Sequence, residues 1–191
     1  MSPKLDEVDF RIIRSLSADA RKTISQIAKE ADISRPTAIR RLEKLRKNDV
    51  ISLGARVNVK KLGFKLALMT LKTNGSKSIQ EIETDLAVCP RVLMLMQTSG
   101  NPNHLALLYG ENMETLVSVI ECFKSFASTR GMEIVLWHRL NMSSKSETFD
   151  LKFFPTKNEF TLCRKKCGDC FCYQNLECLG CPGVTEYKGP L

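Results

Sequence analysis

Six cysteines fall within 19 residues near the end of this 191-residue chain: Cys163, Cys167, Cys170, Cys172, Cys178 and Cys181. The thiolate is a soft ligand, and a Cys-x2-Cys turn can present two sulfurs to one ion. Cys167-x2-Cys170 and Cys178-x2-Cys181 are two such pairs, with Gly168, Gly180 and Gly183 supplying the tight backbone they need. Four thiolates suit structural zinc or an iron–sulfur cluster, and the Cys181-Pro182 step is compatible with a cluster. All six cysteines are candidate metal ligands. Zinc is ranked ahead of iron–sulfur, with a thiol redox switch or copper behind them. Arg164, Lys165 and Lys166 sit beside the cluster, where positive charge favours the thiolate. The segment is too short and too poor in apolar residues to fold alone, so metal binding is expected to supply stability.

A second chemistry lies in the first third. Residues 1–60 carry 14 Lys/Arg against 8 Asp/Glu, whereas 61–141 and 142–191 are each nearly balanced; the whole chain is +8. A basic segment attracts a polyanion by releasing condensed counterions. Along residues 35–48, Ala38, Leu42 and Leu45 form an apolar stripe. Thr37, Arg40, Lys44 and Lys47 lie opposite it, with Arg41 on the flank. Arginine on such a face can read guanine edges or hold phosphate.

The elements that would position this helix are legible. Residues 5–16 read as a helix with Asp6, Glu7 and Asp9 in its first turn. Thr23 caps a second helix carrying Ile24, Ile27 and Ala28 on one face. Ala31-Asp32-Ile33 makes a turn, Ser34 caps the third helix, and Pro36 is tolerated in its first turn. Short strands at 50–51 and 55–59 around Gly54 are expected to form a wing, from which Arg56 and Lys60 reach phosphate. The candidate DNA contacts are therefore Ser34, Arg35, Thr37, Arg40, Arg41, Lys44, Lys47 and Arg56.

The middle third reads strand 64–71, helix 78–86, strand 92–98, strand 105–109, helix 113–127 and strand 132–140. That βαββαβ order is a ferredoxin-like sandwich, and no nucleotide or catalytic motif is read in it. His104 and His138 read as strand residues with satisfied hydrogen bonds, and Cys89 and Cys122 as buried small hydrophobes. The fold class is α+β: a winged helix-turn-helix over 1–60, the ferredoxin-like domain over 61–141, and a linker with a cysteine-rich module over 142–191. No apolar run of membrane-spanning length and no secretory leader is present in the sequence, so no membrane partner is expected and the cytoplasm is the expected compartment. A reducing cytosol favours metal or redox chemistry over disulfides.

The opening Leu5-Asp6-x-x-Asp9, Asp19-Ala20-Arg21, Ile33-Ser34, Arg40-Arg41 and Lys61-Leu62-Gly63-Phe64 together resemble the leucine-responsive/asparagine-operon (Lrp/AsnC) family of regulators, over residues 5–64. The resemblance implies double-stranded DNA as partner, a homodimer or higher even oligomer, and a small-molecule effector, often an amino acid, held between subunits. It points to a loop of Gly-x-x-Asp pattern, here Gly100, Asn101, Asn103 and His104. Asn103 replaces the carboxylate that would pair with an ammonium group. Relatives usually end soon after the last strand, so the cysteine tail is an addition. A regulator, not an enzyme, is the reading; a sirohaem decarboxylase-like enzyme on the same layout and an architectural DNA-binding protein with a structural zinc are the alternatives.

Overall fold

Polar caps set the three N-terminal helices. In this computed structural model, which describes residues 3–73, 84, 86, 89–128, 132–140, 148–152, 157–161 and 166–191, helix α1 spans Glu7–Ala18. Asp6 accepts from the Asp9 N–H at 3.0 Å, and Asp9 accepts from the Asp6 N–H at 3.2 Å, a reciprocal capping box. Thr23 and Gln26 form the same device for α2, Ile24–Ala31, which Asp32 ends in the left-handed region at φ 55°. Ser34 caps α3, Arg35–Lys47, through the Thr37 N–H at 3.4 Å. Ile12, Leu16, Ile27, Ala31 and Leu45 close one small core. These elements make up the compact unit Met1–Ala55.

The expected wing hairpin is not what the chain forms. Residues 50–56 contain no strand. Val50 and Ile51 instead pack on the helical core, and the Val50 N–H closes the end of α3 on the Leu45 carbonyl at 3.0 Å. Strand β1, Val57–Asn58, pairs antiparallel with β6, Thr148–Phe149, so its partner comes from far along the chain.

The second unit, Arg56–Leu191, is built on a four-stranded antiparallel sheet of order β3-β4-β2-β5, with β2 Lys65–Thr73, β3 Val92–Gln97, β4 His104–Gly110 and β5 Met132–Leu140. That order, with helical crossovers, is the ferredoxin-like arrangement. Helix α4, Met113–Ser128, packs on one face through Leu116, Val119, Ile120 and Phe123 against Ala67, Met69, Leu71, Ala106 and Leu108. A Cβ at Gly110 would come within 2.6 Å of the Leu116 nitrogen, so glycine permits the helix to lie this close. Of the helix read over 78–86, Thr84 and Leu86 are helical and the remainder lies outside the described residues.

The opposite face alternates between covered and bare ends. Val59, Phe64, Leu66, Leu107 and Tyr109 are buried under Phe149, Leu151 and Leu191. Further along, Met94 and Met96 on the edge strand are 41% and 42% exposed. The tail belongs to this second unit. It carries a parallel bridge between Asn158 and Val184 and a one-turn helix α5, Phe171–Gln174.

Candidate nucleic-acid interface and thiol cavity

On α3, Ala38 and Leu45 are buried and Leu42 half-buried, which leaves the other side to solvent. Ser34, Arg35, Arg40, Lys44 and Lys47 are exposed, as the spacing predicts; Thr37 is half-buried and shares a 2.8 Å hydroxyl contact with Ser34. Arg46, absent from the sequence-derived set, is exposed with them, and so is Ile39 at 41%. Helical geometry at 100° per residue places Arg46 and Ile39 on the flank of the same face. Five cations thus share this surface with one acid, Glu43.

Two predicted contacts are placed otherwise. The Arg41 guanidinium turns inward and donates to Asp6 at 2.7 Å and to Asp9 at 2.8 Å, with the Asp9 side chain only 3% exposed. It ties α3 to the start of α1. Its hydrogen bond, followed by that of the Asp9 N–H, holds the Asp6 carboxyl below its ordinary range. Arg56 donates to the Thr148 carbonyl at 2.5 Å, bracing the β1–β6 pair.

In the second unit, one cavity of about 110 Å³, partly open to solvent, gathers cysteines from three parts of the sequence. Cys167, Cys170, Cys178 and Cys181 line it from the tail, and Cys89 and Cys122 from the domain side. Cys89 and Cys122 are therefore half-buried members of a thiol-lined wall rather than plain core residues. Cys172 does not line the cavity, and Cys163 lies outside the described residues. None of the seven described cysteines is joined in a disulfide. Burial pushes the Cys167 thiol up to about 11, partly countered by the Cys181 N–H. Burial also raises Cys178, against the Gly180 N–H and the Arg91 charge.

A buried polar network sits under this cavity. Arg91 pairs with Glu111 at 2.5 Å, both side chains at most 5% exposed, and donates to the Gly180 carbonyl. Its guanidinium lies 5.3 Å from the Tyr109 ring and 5.8 Å from that of Tyr187. The Tyr187 hydroxyl donates to Glu111 at 2.5 Å. Nothing in local periodicity marks Arg91; an arginine inside an otherwise apolar approach to β3 is the one available signal.

A family model described as winged helix-turn-helix DNA-binding matches residues 5–52. An uncharacterized HTH-type transcriptional regulator of Pyrococcus abyssi is 32% identical over 131 residues, 68% of this chain and 86% of that protein. The leucine-responsive regulatory protein of Rhizobium meliloti is 30% identical over 136 residues, 69% of this chain and 86% of its own length. The chain belongs to the Lrp/AsnC family of DNA-binding transcription regulators. The crystal structure of LrpA, the leucine response regulatory protein of Mycobacterium tuberculosis, superposes with a TM-score of 0.66 at 19% identity, over 75% of this chain and 97% of that one, a likeness of fold. Among the described residues no helix is long and apolar enough to cross a membrane.

The predicted effector loop of this Lrp/AsnC regulator is occupied with its own backbone. The Asn103 side chain accepts from the Thr73 N–H at 3.0 Å and donates to the Thr73 hydroxyl at 2.9 Å and carbonyl at 3.3 Å. It also contacts the His104 ring at 3.2 Å, which is 1% exposed. Gly100 and Asn101 are exposed. The carboxamide thus splices the end of β2 to the start of β4, a use that asparagine's paired donor and acceptor suits and aspartate's two acceptors do not.

Proposed function

We propose that this regulator reads specific DNA sites with the exposed cationic face of α3, as a homodimer or larger even assembly, and takes its signal at the thiols of its tail. One observation carries the DNA part: Arg35, Arg40, Lys44, Arg46 and Lys47 are all exposed on the helix that follows the Ala31-Asp32-Ile33 turn. Such a helix fits the major groove, where arginine addresses guanine and phosphate together. Ser34 and Thr37 at its N-terminus add neutral donors for phosphate.

Self-association is supported by the bare end of the sheet. Met94 and Met96 stand exposed beside half-buried Leu68 and Leu105 on the face away from α4. A two-fold pair of these surfaces buries apolar area and presents two recognition helices to a pseudo-palindromic site. A metal or thiol-redox event in the tail then biases that assembly. Direct effector binding by Asn103 is not part of the proposal, since its side chain is spent on Thr73.

The test is fluorescence anisotropy on selected operator DNA across a salt series. Arg40→Ala and Arg46→Ala should each weaken binding and lower the salt slope by about 1. Unchanged affinity and slope for the double variant would remove α3 as the reading element.

A further inference from the structure

We infer that Cys167, Cys170, Cys178 and Cys181 form a four-thiolate centre for a thiophilic metal, with Cys172 outside it. It gives chemical content to the tail signal proposed above and rests on that reading only for its regulatory consequence.

Three features single out these four. They line one cavity, whereas Cys172 does not. They come as two Cys-x2-Cys pairs, each folded into a tight turn. The Cys170 N–H donates to the Cys167 carbonyl at 3.0 Å. The Gly180 N–H donates to the Cys178 sulfur at 3.4 Å. A backbone N–H aimed at sulfur is the kind of outer partner that orients a metal-bound thiolate. Gly180 makes the second turn possible: its φ is +86°, and a Cβ there would crowd Tyr173 at 3.3 Å and the Tyr187 backbone at 3.4 Å.

The turn is also fastened to the domain. Ser118 donates to the Glu177 carbonyl at 3.2 Å, the Leu179 N–H donates to the Thr115 hydroxyl at 3.2 Å, and Arg91 holds the Gly180 carbonyl. Thr115 and Arg91 are 0% and 3% exposed. Three of the four tail positions 177–180 are thus pinned by buried or half-buried side chains. A loose tail has no reason to keep them. Arg91 and Lys166 also line the cavity and offset the surplus negative charge of four thiolates on a dication.

Among the described residues the thiols surround the cavity without grouping at one point. A single tetrahedral ion requires the four sulfurs to draw together on binding, whereas the sulfides of a cluster span a wider ring. Both sources use the same four thiolates, and the experiment separates them.

Full-length protein is purified without oxygen and assayed for zinc, iron and acid-labile sulfide. A stripped, reduced sample is then titrated with Co²⁺. The expected result is one metal centre per chain. Zinc binding is marked by the intense tetrathiolate bands of Co²⁺ and their bleaching by Zn²⁺; a cluster is marked by iron with sulfide. Cys172→Ser keeps the centre and Cys178→Ser loses it. Differential alkylation of wild-type protein, read by mass spectrometry, gives the ligands without any mutation that could unfold the chain. Cys167, Cys170, Cys178 and Cys181 should be protected about tenfold or more by metal, and Arg91→Met should weaken the metal by about tenfold. No stoichiometric centre would overturn the assignment. So would protection of Cys172, Cys163, Cys89 or Cys122 in place of one of the four. A centre that forms as assigned but leaves DNA affinity unchanged would retire the signalling role and leave the site standing.

Discussion

Replacing Arg91 with methionine tests how firmly the tail is welded to the sheet domain. The methionine keeps the length of the side chain and removes its charge. Glu111 then stays behind at 5% exposure, with the Tyr187 hydroxyl at 2.5 Å as a donor. Stripping one partner from a buried pair costs about 3–5 kcal/mol, and the surviving tyrosine bond places this case near about 3 kcal/mol. The Gly180 carbonyl also loses its donor, which adds about 1 kcal/mol. For a unit the size of Arg56–Leu191, a loss of about 4 kcal/mol lowers the midpoint by roughly 10–15 °C. Scanning calorimetry is the assay, because the two compact units can melt separately and the transition of the second must be followed alone. The pairing itself is isolated by Arg91→Met with Glu111→Leu. Apolar replacement of both partners should leave only the unpaired Gly180 carbonyl and Tyr187 hydroxyl as losses, about 1 kcal/mol each. A loss below about 1 kcal/mol for the single variant, or a double variant as unstable as the two singles added together, would refute the role given to this pair.

Three further outcomes are expected. Arg41→Ala should lower the melting temperature of the Met1–Ala55 unit while leaving the salt slope of DNA binding almost unchanged at temperatures where the variant is folded, because its guanidinium serves Asp6 and Asp9; a slope change equal to that of Arg40→Ala would contradict this. The same contact sets an acid limb. The folded Asp6 carboxyl titrates below its unfolded value of about 4, so its stabilising contribution is complete above that pH and is lost as pH falls through the lower folded value; circular dichroism should show this limb in wild type and its loss in Arg41→Ala. Met94→Asp with Met96→Asp should dissociate the assembly with the secondary structure intact, which sedimentation velocity would read as a shift toward monomer.

Much of the architecture could be read from single residues, and the reason is distance along the chain. Caps act within three positions, so Thr23 with Gln26 and Ser34 with Thr37 are visible as written. The strand read over 132–140 is observed as Met132–Leu140 because alternation reports a strand wherever one face is buried. Partners are another matter. The carboxylate that captures Arg41 lies 35 positions earlier, and β1 pairs with a strand more than ninety residues later. Val50 and Ile51 have strand propensity, yet burial on α1–α3 outweighs it. In the thiol cavity the tail pairs are announced by spacing, whereas Cys89 and Cys122 carry no local mark. They become members of the site only when α4 and the approach to β3 meet the tail. Arg46 was hidden by a rotation of a few tens of degrees around α3, within the scatter of any helical wheel.

The Phe149, Leu151 and Leu191 side chains roof the cluster of Val59, Phe64 and Tyr109. That roof makes the extension part of the domain's own wall rather than a flag attached to it. A message truncated after the codon for Leu140 would yield a product with a raw aromatic patch where the lid should be. Chains slow to seat their last fifty residues would show the same patch to chaperones and proteases, so cellular abundance would be set by closure before any operator is met.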